Sequence, residues 1–200
     1  MQKVCEYYFA PQSPWAYLGH SRFVALAKQH GVQIDLKPCD LGRVFNVSGG
    51  IPLAKRAPQR QAYRLLELRR WSEFLQVPLN PQPKFFPVPA DAAAKLIVAV
   101  KLTHGTDAAL ELTGAIMRAV WTDEKNIADA ETLISLTNAC GHDGKALLKS
   151  SETASVQTEY ERFTDDAIAA NVFGSPWYVF EGEGFWGQDR LDFVERAFLK

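Results

Sequence analysis

Two serine–proline pairs and one acidic turn are the places where this sequence can do chemistry. The first pair lies in "EYYFAPQSPWAYLGHSRFVALA" (Glu6 to Ala27). There an apolar run through Tyr7, Tyr8 and Phe9 breaks at Ala10-Pro11-Gln12, and Ser13-Pro14 opens an amphipathic stretch. Proline suits a first helical position because its missing N–H would be unpaired there anyway. The helix beyond offers free N–H groups and a partial positive end, which together stabilise an anion. Comparable surroundings bring a thiol from a pKa of about 8.5 down to roughly 3.5–7.5. No cysteine stands at this position. Ser13 ionises far less readily than a thiol, so its chemistry would be to donate its O–H to an anion supplied by another molecule. The ordinary alternative is that it caps the helix.

The second pair, Ser175-Pro176 in "FGSPWYVF", opens a strand, where proline is tolerated at the first position. A cis bond there would expose the carbonyl and N–H of Ser175 to an extended, peptide-like ligand. Only about 5–6% of X–Pro bonds are cis, so the sequence leaves this open. Gly187-Gln188-Asp189 precedes the last helical stretch. Asp189 either caps that helix or meets an ammonium group. Taken singly, each motif has an ordinary structural explanation.

The elements that must position these groups follow from periodicity. Val4 to Phe9 and Val32 to Pro38 read as strands, with a helix from Trp15 to His30 between them and Gly31 as its stop. This βαβ unit predicts parallel strands. From Pro58 to Leu75, Asp91 to Thr103, Asp107 to Trp121, Asp129 to Cys140 and Ser151 to Ala170 the pattern is helical, and Asp129 and Gly141 bracket one helix as N-cap and C′. "VPLNPQPKFFPVPAD" (Val77 to Asp91) is too rich in proline for regular helix and reads as an ordered connector. "WYVFEGEGFW" predicts a hairpin, followed by a terminal helix from Leu191 to Leu199. The expected layout is α/β: a βαβ … ββα domain made of residues 1–40 and 171–200, interrupted by a large all-helical insertion at 41–170.

Several function classes lose support. The formal net charge of −1 makes no electrostatic case for nucleic acid or an anionic membrane. No apolar run is long enough to span a bilayer, and "MQKVCEYYFA" lacks a signal-peptide pattern, so a cytoplasmic location is expected. Cys5, Cys39 and Cys140 form neither a CxxC pair nor a zinc spacing, and the four scattered histidines contain no ligand pair, so no metal site is expected.

Together, "FAPQSPWAYLGH", "DLGRVFNVSGG", "RRW", "FGSPWYVF" and "FWGQDRL" make a more specific statement. The sequence resembles the 2-hydroxychromene-2-carboxylate isomerases, relatives of kappa-class glutathione transferases and, more distantly, of DsbA-like thiol oxidoreductases. The resemblance runs essentially the full length. It implies a thioredoxin-like fold with a helical insertion, a homodimer, and glutathione as cofactor with its sulfur beside Ser13, Pro14 and Trp15. It further implies that Ser175, ahead of Pro176, pairs with the cysteinyl backbone. Trp186, Gly187, Gln188 and Asp189 would hold the γ-glutamyl end.

The implied reaction interconverts 2-hydroxychromene-2-carboxylate and trans-o-hydroxybenzylidenepyruvate, or a close analogue, by reversible addition of the glutathione thiolate to a conjugated carbon. Lys55 and Arg56, after "SGGIPLAKR", would face the carboxylate of a small aromatic substrate, and Phe86 would wall its ring. The sequence departs from the family pattern at Phe45 and Gly50, where the pattern has lysine and asparagine. A kappa-type transferase, or a non-catalytic thiol-binding module, would share the same scaffold.

Overall fold

The structure is a computed structural model, described for residues 2–200. Strand β1 (Val4–Phe9) runs parallel to β2 (Gln33–Pro38), joined by α1 (Pro14–Gln29). After β2 come α2 (Leu41–Ser48), a single 3₁₀ turn at Leu53–Lys55, α3 (Pro58–Leu75), α4 (Asp91–His104) and α5 (Thr106–Trp121). Then follow α6 (Ala130–Ala139), α7 (Gly144–Ser150) and α8 (Ala154–Ala169). The chain returns through β3 (Trp177–Phe180), β4 (Glu183–Trp186), a 3₁₀ turn at Gln188–Arg190 and α9 (Leu191–Phe198). The four strands lie in the order β2-β1-β3-β4, with β3 antiparallel to both neighbours. This is the expected α/β, thioredoxin-like arrangement, with only helices and connectors between β2 and β3.

Alternation along β1 decides what covers each face of the sheet. Cys5, Tyr7 and Phe9 point into the larger core, where Phe23 of α1 and Tyr178 of β3 meet them. Tyr8 points the other way, into a smaller cluster with Val44 of α2, Ala167 of α8 and Trp177. Burying an aromatic of this kind contributes roughly 1.5–3 kcal/mol, so both layers hold the sheet firmly. Helix ends fall where capping chemistry puts them. Gly31 and Gly141 take left-handed φ values of 64° and 82° just past α1 and α6, and Asp129 accepts from the Thr132 N–H.

Two helices differ from the sequence reading. Neither α2 nor α7 was expected, because eight and seven residues are too few for periodicity to declare itself. Asp40 and Asp143 cap them, Asp40 accepting from the Gly42 and Arg43 N–H groups and Asp143 from that of Ala146. The helix expected from Ser151 begins instead at Ala154, since Ser151 closes the end of α7. Among the described residues no helix is long and apolar enough to cross a membrane.

Candidate active site

The turn at Ala10-Pro11-Gln12, closed by the Ser13 N–H donating to the Ala10 carbonyl at 2.9 Å, sets the mouth of α1. Ser13 is extended (φ −74°, ψ 122°), and its Oγ accepts from the Ala16 N–H at 3.2 Å. The capping alternative is therefore realised. The same hydroxyl also donates to the carbonyl of Ser175 at 3.2 Å, while Ser175 Oγ accepts from the Ala10 N–H at 3.0 Å. Two motifs 162 residues apart are thus fastened to each other. The Ser175–Pro176 bond is cis. Both serines are 8% exposed.

The Pro176 carbonyl accepts from the Gly187 N–H at 3.0 Å, which brings the third motif to the same place. Gly187 needs to be glycine: φ is +99°, and a β-carbon would meet Asp189 Oδ1 at 2.5 Å. Gly174 likewise lies so close beneath the Trp186 indole that a β-carbon would overlap it. Trp186 is held against Phe173 edge to face (4.8 Å between centroids) and remains 52% exposed.

These groups line one side of a cavity of about 790 Å³, to which Trp15, Ser175, Trp186, Gly187 and Asp189 contribute. Helix α3 forms the opposite side with Arg60, Tyr63, Arg64 and Trp71, and Arg56 stands just before it. The volume suits a ligand of a few hundred daltons. Ser13 is one hydrogen bond behind the lining, through Ser175.

The remaining expected residues are placed differently from one another. The Gln188 side chain is only 1% exposed, and its Oε1 accepts from Arg22 Nη1 at 2.9 Å, so its amide oxygen is already engaged with α1. The Asp189 carboxylate is partly exposed and accepts from Arg190 Nη1 at 2.7 Å. It makes no capping hydrogen bond, so the cap reading of this residue does not apply. Arg56 reaches the cavity, with Nε donating to the Ile51 carbonyl at 2.7 Å. Burial and the neighbouring Arg60 hold its pKa below the usual arginine range.

Lys55 is placed apart from Arg56: it ends the 3₁₀ turn, is exposed and is not part of the cavity lining, whereas Arg56, the residue that caps the turn, is. Phe86 is also outside the lining and lies half-buried against Trp121 at 4.7 Å. Phe45 and Gly50 are coupled. A β-carbon at Gly50 would overlap the Phe45 ring, so a side chain at position 50 would require the ring at 45 to move.

Arg60 and Arg64 were missed by the sequence reading. Their signal was present, as Arg56, Arg60 and Arg64 recur every four residues into a predicted helix, a spacing that keeps them on one side. Arg64 lies over the Phe86 and Trp121 rings at 5.2 and 5.8 Å. Burial, and after it the charge of Arg56, pushes its pKa down to about 10. No cysteine competes for the anion site. Burial raises all three thiols, Cys39 to about 12. An anion at the α1 N-terminus would therefore come from a bound molecule.

The family model for the DSBA-like thioredoxin domain matches residues 4–199. A 2-hydroxychromene-2-carboxylate isomerase of Sphingobium xenophagum is 27% identical over 100% of both chains. One from Pseudomonas sp. (strain C18) is 30% identical, covering 97% of this chain and 89% of that protein. Glutathione S-transferase kappa 1 of Caenorhabditis elegans is 24% identical, covering 94% and 88%. Among solved structures, a 2-hydroxychromene-2-carboxylate isomerase superposes with a TM-score of 0.82 at 24% identity, covering 97% of this chain and 93% of that one. The Pseudomonas aeruginosa cytosolic disulfide reductase DsbM, determined with GSH, superposes at 0.69 and 15% identity, covering 98% and 96%.

Proposed function

The chain belongs to the 2-hydroxychromene-2-carboxylate isomerase family of DSBA-like thioredoxin-domain enzymes, and from that premise we propose that it is a glutathione-dependent isomerase of a small aromatic carboxylate. The observation that carries this reading is the convergence of the Ser13-capped α1 N-terminus, Ser175 and Asp189 on one cavity with an arginine-bearing opposite wall. Glutathione carries a thiol, an ammonium and two carboxylates, and that set matches these groups.

Asp189 would take the ammonium, and Trp186 and Gly187 would shape the surroundings of the γ-glutamyl end. Bound there, glutathione supplies a thiolate that adds reversibly to a conjugated carbon and makes a double bond rotatable, so covalent catalysis divides one hard step into easier ones. Ser13 has one hydroxyl hydrogen, now directed at the Ser175 carbonyl. Turning it toward sulfur would stabilise the thiolate, together with the α1 dipole. The same turn frees the Ser175 carbonyl to accept a ligand N–H, so the exchange loses no hydrogen bond.

Net glutathione consumption tests the reading. An isomerase should convert 2-hydroxychromene-2-carboxylate while total glutathione stays constant. Stoichiometric loss of glutathione into an adduct would identify a kappa-type transferase instead, the alternative that the Caenorhabditis elegans relative favours. Conversion at an unchanged rate without glutathione would refute both.

A further inference from the structure

We infer that Arg64 is a carboxylate anchor of the cavity, a fork of donors held in the wall for a ligand's anion. The inference deepens the isomerase reading and rests on it. Three observations carry it. Nη2 of Arg64 is buried and has no hydrogen-bond partner. No carboxylate among the described residues lies within ion-pair distance of it; Glu67, one turn on and also lining the cavity, accepts instead from Arg70 at 2.7 Å. The guanidinium rests over Phe86 and Trp121, and the charges of Arg56 and Arg60 stand on the same wall.

A like-charged series with no interposed acid destabilises a helix, and a buried donor without an acceptor costs more still. An anion beside the guanidinium offsets the first cost, and the second is met once the guanidinium turns Nη2 toward it. Guanidinium is the cation for this place, because it is weakly hydrated, stacks on aromatic faces and grips a planar carboxylate with two parallel bonds. Arg56 is the weaker candidate, since its Nε is already bonded to the Ile51 carbonyl. Phe86, expected to wall the substrate ring, serves on this view as the floor under the anchor.

Two carboxylates have this chemistry: that of the aromatic substrate and the glycyl carboxylate of glutathione. Calorimetric titration of the wild type, Arg64→Met and Arg64→Lys separates them. One arm compares 3-phenylpropanoate with its amide, and the other compares glutathione with its glycyl ethyl ester. The wild type should prefer the charged member of each pair. In Arg64→Met that preference should fall by about tenfold or more in one arm, which names the source. Arg64→Lys should keep only part of it, because an ammonium is a point charge. Thermal melts accompany the titrations. Arg64→Met should melt no lower than wild type, whereas a residue that merely packs on two rings would melt lower when lost.

Undiminished preference in both arms for Arg64→Met overturns the anchor. So does undiminished preference for Arg64→Lys, which also covers a methionine variant that fails to fold. A wild type that binds and discriminates while Arg64→Met does so equally refutes Arg64 alone. A wild type that binds neither glutathione nor the aromatic acid refutes the isomerase reading and the anchor with it.

Discussion

Lys37 and Arg64 are both cations drawn below the surface, one away from the cavity and one in its lining. Lys37 of β2 has a side chain 5% exposed, and its Nζ meets Glu6 at 2.6 Å, Asp166 at 3.1 Å and Asp35 at 3.3 Å. Tyr8 and Lys101 complete the network, Lys101 holding Asp35 at 2.7 Å. Burial alone would lower the Lys37 pKa, yet its hydrogen bonds to Glu6 and Asp166 outweigh that and raise it. Around Arg64 nothing outweighs burial, and its pKa falls. One region is electrostatically closed on itself. The other is left open, and the open one faces a cavity. Folding accounts for the first arrangement; the second is what the proposed ligand carboxylate would complete.

The largest effect that tests this contrast lies in the closed region. Lys37→Met should destabilise the chain by about 3 kcal/mol, because it leaves Glu6 with no cation and takes the shared one from Asp35 and Asp166, which keep only Lys101 and Arg162. Urea unfolding of this variant beside Arg64→Met should give opposite outcomes, a marked loss against none. Equal losses would erase the distinction.

His20 gives a second closed site, with an effect of similar size but dependent on pH. It is 5% exposed, its Nε2 donating to the Leu110 carbonyl at 3.0 Å and its Nδ1 facing the Tyr7 hydroxyl at 3.4 Å. Burial lowers its pKa to about 4. The unfolded chain thus binds a proton that the folded chain refuses between pH about 6.5 and 4. Stability should be fully present above about pH 6.5 and fall as pH drops toward 4, by up to about 3 kcal/mol. Unfolding free energies at pH 7 and pH 4.5, compared with those of His20→Gln, read this slope directly; parallel curves for the two proteins would show that His20 is not its source.

In the open region effects should appear in function more than in stability. Ser13→Ala should lower turnover roughly ten- to hundredfold, the worth of a hydrogen bond to a charged group, and leave glutathione affinity much less changed. The lost cap should cost only about 1 kcal/mol of stability. A turnover loss matched by an equal loss of affinity would assign Ser13 to binding alone. Asp189→Asn should have the smallest effect. A partly exposed ion pair is worth about 0.2–1 kcal/mol, so glutathione affinity should drop severalfold at most with turnover at saturation preserved. Calorimetry showing equal affinity would remove Asp189 from the site.

How much of this was legible in the sequence depends on how local the physics is. The Ser13-Pro14 helix mouth, the glycines that stop α1 and α6, and the hairpin around Gly182 announce themselves within a few residues, and each stands as read. Lys55 and Arg56 looked like a pair because they are adjacent in the chain. At the end of a 3₁₀ turn two neighbouring side chains have different surroundings, and adjacency carries no information about that. The seat of Arg64 was illegible for a different reason: its two rings come from a proline-rich connector and from the end of α5. The four-residue arginine spacing was visible, but burial turns it from a solvated face into a cavity wall.

In the proposed reaction the open region activates a thiol that the chain itself does not carry. Ultraviolet titration of glutathione bound to the wild-type protein tests it most directly, because the thiolate absorbs and the thiol does not. The bound thiol pKa should lie well below the free value of about 8.5, within the range reached at helix N-termini, and rise toward that value in Ser13→Ala. A bound thiol that titrates like free glutathione would contradict it.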